Sequence, residues 1–278
     1  MRNFMKQKNK RKLEKVLIGT FWLIIWQLCA MIIDNSILFA TPVDVVVSLW
    51  KNIQDILFFQ TLGNSLKNIG MGFLLAFFCG VFLGGICYRI EFLHKLVTPL
   101  IQVFKAIPVA SFVVILLILT GTAYLSVYVS FLVVFPGIYE NTIMGLKSAD
   151  EKMLEVAEIF EMSGFSRYFY IYRPALMPYL IGYMKSAVGM SLKSGVAAEV
   201  IGTPDFTIGE RMYLAKVHLE TADIFAWTAV IIFCSYMLEK GFIRLLEWHE
   251  KRERPFLFRK TQTEKRKEVK TKWIGERI

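Results

Sequence analysis

The stretch "IGMGFLLAFFCGVFLGGICY", residues 69 to 88, carries no formal charge. Wound as an α-helix, an uncharged apolar run of about 20 residues rises about 30 Å, the thickness of a bilayer's hydrocarbon core. Length alone would allow one large domain or two small ones, so composition has to decide the class. Hydrophobic residues make up 55% of the 278, charged ones 20%, and the mean hydropathy is +0.47. Together these place the chain in a membrane.

Hydropathy predicts six helices, at about 16–33, 69–88, 106–121, 123–138, 175–197 and 222–239. The fold class expected is all-α integral membrane, with a basic segment at 1–15, a membrane domain at 16–246 and a basic tail at 247–278. The run at 16–33 follows a basic start as a signal peptide would, but its core is too long and no small-x-small cleavage site follows. "TGTAY" at 120–124 supplies the tight turn between the third and fourth spans, and Pro108 and Pro136 are helix-end or kink positions. Cys29, Cys79, Cys87 and Cys234 show no CxxC spacing, and His94, His218 and His249 are scattered. Neither set suggests a metal site.

Basic residues set the orientation. Of 33 Lys and Arg, 7 fall in 1–15, 3 in 89–105, 4 in 139–174 and 13 from 239 onward, all on one side of a six-span chain. By the positive-inside rule that side is cytoplasmic, with both termini on it. Lys51, Lys67, Arg211 and Lys216 fall on the other side. The net charge of +10 then reflects topology and attraction to anionic membrane lipid. No nucleic-acid fold pattern accompanies the basic tail.

The cytoplasmic loop at 150–174 contains "EVAEIFEMSGFSRYFYIYRP". Val156, Ile159, Phe160 and Met162 recur at helical spacing, with Glu155, Glu158 and Glu161 on a largely opposite stripe. This predicts a short amphipathic helix stopped at Gly164, followed by aromatic residues and by Pro174 and Pro178 at the entry to the fifth span. An acidic stripe suits a soluble partner better than an anionic lipid surface.

This loop resembles the cytoplasmic EAA loop of permease subunits of bacterial ATP-binding-cassette importers, with Glu155, Ala157, Ile171 and Pro174 at matching positions. "FKAIPVASFVVILLILTG" (104–121) and "SLKSGVAAEVIG" (191–202) resemble the nitrate, sulfonate and taurine branch. Glu161 departs from the pattern, standing where the family usually has its loop glycine, and Arg173 replaces an apolar residue. The resemblance implies a methionine-importer-like transmembrane fold working as a homodimer. It also implies an ATPase dimer gripping the loop through Glu155, Val156, Ala157, Ile159, Phe160, Glu161, Gly164, Ile171 and Pro174. An extracytoplasmic binding protein delivers the solute, and the location implied is the bacterial inner membrane.

No GxxxxGK[ST] occurs, so no P-loop holds nucleotide in this chain. ATP and magnesium are expected on the partner ATPase, and the chain itself is expected to carry no cofactor, no metal and no enzymatic activity. Within the fifth span Lys185 and Lys193 are eight residues apart, close to one helical face with Gly189 between them. Lysine at mid-membrane depth costs roughly 2.5–3.5 kcal/mol, which favours a protein-lined or water-lined setting.

One reading of these lysines is a path for an anionic solute. The other is snorkelling of Lys185 and pairing of Lys193 with an acid such as Glu199. Gly202 and Gly209 are the candidate positions of an external loop dipping back toward the pore. An ion-coupled secondary transporter, a non-transporting membrane protein, and an importer of cofactor precursors such as a pyrimidine or a riboflavin-type solute are the competing readings.

Overall fold

The computed structural model describes residues 2–33, 35 and 37–253, with side chains between 13 and 245 apart from 15, 34 and 36. The predicted basic tail lies, from residue 254 on, outside the described residues. Among the described residues every regular element is helical. The first is α1 (Arg2–Ile33), which runs unbroken through the boundary expected at residue 16.

A short helix, α2 (Pro42–Gln54), comes next and was not anticipated from hydropathy. Its start is written locally: Thr41 Oγ1 accepts the Asp44 N–H, Asp44 Oδ2 accepts the Thr41 N–H, and Pro42 occupies the first turn. Asp55 then caps α3 (Ile56–Arg89) by accepting the Leu57 N–H at 2.9 Å.

The third expected span, 106–121, holds one helix that starts just after Pro108, but a further helix precedes it. α4 (Glu91–Ala106) and α5 (Val109–Thr120) meet at 101°. Pro108 cannot donate to the helix, and it forces Ile107 into extended backbone, φ −74° and ψ 129°. α5 alone, with 12 residues, rises only about 18 Å. The turn that follows uses Gly121 at φ +73°, as the "TGTAY" segment leads one to expect.

α6 (Leu125–Lys147) passes through Pro136 and extends well beyond the predicted end at 138. It is the enclosed centre of the protein. α3 lies along it at close range: a Cβ on Gly80 would meet Ile138 Cγ2 at 2.7 Å, and one on Gly84 would meet Thr142 Cβ at 2.8 Å. Glycine at four-residue spacing lets two membrane helices approach this closely.

α7 (Glu151–Ile159), α8 (Gly164–Arg167) and a π-helical turn (Tyr168–Tyr172) lead into α9 (Arg173–Gly202). α9 packs on the other side of α6 through Met184, Ala187, Val188 and Leu192, all buried. α10 (Ile208–Val217) folds back against α9, and α11 (Thr221–Glu253) closes the bundle with Trp227 and Val230.

α1, α3, α6 and α11 are each long and apolar enough to cross a membrane, and the bent α4–α5 pair makes five. α9 has the length without the uniform apolar composition, since its interior carries Lys185, Lys193 and Glu199. Six elements thus stand at the positions of the six predicted spans.

Candidate functional site

The loop between α6 and α9 is a rigid construction. Asp150 starts α7 by accepting the Lys152 N–H at 3.0 Å. The helix ends not at Gly164 but three residues earlier, where Glu161 takes φ +49°. The Met162 N–H returns to the Ala157 carbonyl at 2.9 Å and the Glu161 N–H to that of Glu158 at 3.0 Å. This is a Schellman ending with glutamate at its left-handed position. The position at which the chain departs from the usual loop glycine is therefore the one whose backbone favours glycine.

Gly164 instead opens α8, after Ser163 accepts the Ser166 N–H at 3.3 Å. The predicted stop thus becomes a start, because the chain has already reversed at Glu161. Arg167 then reaches back, its Nε donating to the Met162 carbonyl at 3.2 Å and its Nη2 to that of Ala157 at 3.4 Å. A cation at the carboxyl end of α7 also interacts favourably with the helix dipole. Nothing in the hydropathy pattern singles out Arg167; a basic residue just beyond a helix end was the available signal.

The sequence-predicted residues divide into two sets. Ala157 and Ile171 are buried together, with Ala149, Leu154 and Met162 around them. They hold α7 against the start of α9. Val156, Ile159 and Phe160 point outward instead; Ile159 is 78% exposed and Phe160 75%. Glu155, Glu158, Glu161 and Gly164 are exposed as well.

Phe165, 73% exposed, extends the apolar tip and lies 4.8 Å from the Phe169 ring, over which Arg173 is stacked at 5.2 Å. The aromatic run forms the π-helical turn, whose wider winding leads directly to Pro174, a residue with no N–H to give.

Along α9, Lys185 and Lys193 do share an open face, with Gly182, Ser186, Met190 and Ala197. Neither forms an ion pair among the described residues. Glu199 lies on the buried side of the helix and is wholly enclosed. Its Oε2 accepts from Ser65 Oγ at 2.6 Å and from the Gly209 N–H at 3.4 Å. Lys193 is thus not its partner.

Ser65, which sequence reasoning missed, also accepts the Ile208 N–H at 2.8 Å. A Cβ on Gly209 would lie 2.3 Å from the Glu199 backbone carbon. The connection between α9 and α10 is held in strained backbone, with Thr203 at φ +47° and Phe206 at φ +55°. Asn64 supports it by donating to the Phe206 carbonyl at 3.2 Å. Gly209 therefore folds back on α9, and Gly202 packs against Leu125.

Among the described residues no group of three His, Cys, Asp or Glu could hold a metal ion. What the site offers is a stiff helix with an exposed apolar tip at one end of the bundle, and an open face of α9.

The family model for binding-protein-dependent transport system inner membrane components matches residues 72–254. The chain belongs to this family. Its fold is that of ATP-binding-cassette importer permeases, and the nitrate permease NrtB of Synechococcus elongatus is 28% identical over 205 residues, 70% of this chain and 73% of its own. The formylaminopyrimidine transport permease ThiX of Halalkalibacterium halodurans is 24% identical over 197 residues, 70% of this chain and 78% of its own.

A crystal structure of a bacterial transporter of this type, involved in the import of the acidic polysaccharide alginate, superposes with a TM-score of 0.56. The identity is 15%, covering 91% of this chain and all of the other, so the likeness is one of fold. The family itself is one of transport permease components rather than of enzymes, and its description implies a binding-protein partner.

Proposed function

We propose that this permease grips its ATPase through α7 and the apolar tip beside it, on the cytoplasmic side, and carries a small anionic solute between two copies of itself. The observation that carries the reading is the outward-facing set Ile159, Phe160 and Phe165 on a backbone fixed by the Schellman ending and Arg167. Exposed apolar side chains on a stiff support are what a soluble partner's groove can hold. Glu155, Glu158 and Glu161 around them suit a partner with basic groups at the rim.

Movement of the ATPases, which carry ATP and magnesium, is passed on through Ala157, Ile171 and Pro174 to α9. A stiff element with two discrete docked positions is the physical requirement for such coupling. Photocrosslinking from position 160 in the assembled transporter tests this. An adduct with the ATPase supports it; adducts with lipid alone contradict it.

The anionic solute is supported by Lys185 and Lys193 on the open face of α9 and by the likeness to a nitrate permease. The likeness to ThiX favours a second reading, a pyrimidine-type cofactor precursor. Competition of uptake by nitrate, a sulfonate and a formylaminopyrimidine separates the two.

A further inference from the structure

A groove of about 370 Å³ lies where the end of α3 meets the π-helical turn, lined among others by Phe82, Gly85, Tyr88, Arg89, Tyr168 and Tyr172. Its lining combines two chemistries. The residues from α3 are apolar within the uncharged run 69–88, and Arg89, also in the lining, is exposed, the first charge after that run and the last residue of α3. Among the described residues Arg89 makes no ion pair. Tyr88 and Tyr172 meet edge to face with ring centroids 5.7 Å apart, joining α3 to the turn. Gly85 opens the groove, since a Cβ there would find nothing within 4 Å.

We propose that this groove holds an anionic phospholipid of the cytoplasmic leaflet, its phosphate on Arg89 and an acyl chain along Phe82 and Gly85. The leaflet follows from the orientation given under Proposed function; the groove itself does not depend on it. Charge complementarity selects the occupant. A free guanidinium at the edge of an apolar run binds phosphate oxygens in bidentate fashion, and tyrosines favour the interfacial level of a bilayer. Free phosphate would leave the apolar half unfilled, whereas a diacyl lipid fills both. Because Tyr168 and Tyr172 belong to the turn that joins α8 to α9, a lipid seated there braces the link between the coupling loop and the fifth span.

The test uses the full chain purified with its ATPase. Arg89→Gln removes the cation, and Gly85→Leu puts a side chain into the groove from a position where the added Cβ meets nothing within 4 Å. Native mass spectrometry after exposure to mixed phosphatidylglycerol and phosphatidylcholine is expected to show preferential retention of phosphatidylglycerol, reduced several-fold by each variant. In phosphatidylcholine vesicles the variants are expected to hydrolyse ATP as the unaltered protein does. Only the unaltered protein is expected to gain activity when phosphatidylglycerol is added.

Equal retention in all three proteins would overturn the proposal, as would displacement of the lipid by inorganic phosphate. Loss of ATPase copurification in the variants with lipid retention unchanged would also overturn it, marking the groove as a protein contact. Failure of the unaltered chain to copurify with any ATPase would instead count against the function proposed above, leaving lipid retention to be read separately.

Discussion

Ser65 Oγ donates to Glu199 Oε2 at 2.6 Å and accepts the Ile208 N–H at 2.8 Å, so one hydroxyl joins α3, α9 and α10. The carboxylate oxygen is shared with the Gly209 N–H, at the amino end of α10. Here a buried acid supplies the partner that the first turn of a helix lacks.

Glu199→Ala would leave the Ser65 hydroxyl and the Gly209 N–H without their acceptor. Leaving a buried donor unsatisfied costs about 1–3 kcal/mol. Glu199→Gln keeps an acceptor oxygen and should cost less. Thermal unfolding of the purified protein is expected to order the three as unaltered, Gln, then Ala. Equal midpoints for Gln and Ala would contradict the assignment.

Gly209→Ala should be worse than either. The new methyl would lie 2.3 Å from backbone and side-chain carbons of Glu199, which cannot swing aside. Loss of the folded protein from the membrane fraction is expected, while Gly182→Ala, which meets nothing within 4 Å, should accumulate normally.

Much of this arrangement was legible in the sequence, and the misses have identifiable causes. The uncharged run at 69–88, the amphipathic loop helix and the turn at Gly121 all follow from periodicity and from glycine chemistry, which are local. The departure at Glu161 was visible too, but not that its backbone still turns left-handed there. The break at Ile107 was half-visible as Pro108, though not its 101° angle, which depends on what α4 and α5 pack against. Ser65 escaped because it acts on a residue brought close only by folding: Glu199 is 134 positions away. Arg167 acts locally, on carbonyls five and ten positions back, and a basic residue just beyond a helix end was its only signal. Hydropathy also passed over α2, α4 and α10, which with 13, 16 and 10 residues are each too short to register as a span.

Glu161→Gly should stabilise the loop. A non-glycine residue in the left-handed region costs roughly 1–2 kcal/mol, and part of that gain is offset because glycine also frees the unfolded chain. Hydrogen exchange over residues 151–162 is expected to slow. Glu161→Lys, which keeps the strain and reverses the charge, should weaken ATPase copurification; unchanged copurification would remove the proposed charge pairing.

Arg167→Ala removes two hydrogen bonds from the end of α7, to the Met162 and Ala157 carbonyls. Hydrogen bonds to a charged donor contribute about 1.5–3 kcal/mol each when buried, and less at this partly exposed site. Faster hydrogen exchange at the end of α7 and weaker ATPase stimulation are expected. Arg167→Lys should restore little, because an ammonium lacks the fork that reaches both carbonyls.

Lys193→Met keeps most of the length of the side chain and removes one of the two charges on the open face of α9. Uptake of an anionic solute should fall several-fold at unchanged protein level, with ATP hydrolysis less affected. Unchanged uptake and selectivity would take Lys193 out of the solute path.

Labelling of Ile159→Cys decides whether α7 is a cytoplasmic handle for the ATPase. In a background with Cys29, Cys79, Cys87 and Cys234 replaced, a membrane-impermeant maleimide should leave intact cells unlabelled and mark inverted vesicles. Bound ATPase should then block the marking. Labelling of Ile159→Cys in intact cells would put the handle on the wrong side of the membrane and contradict the account.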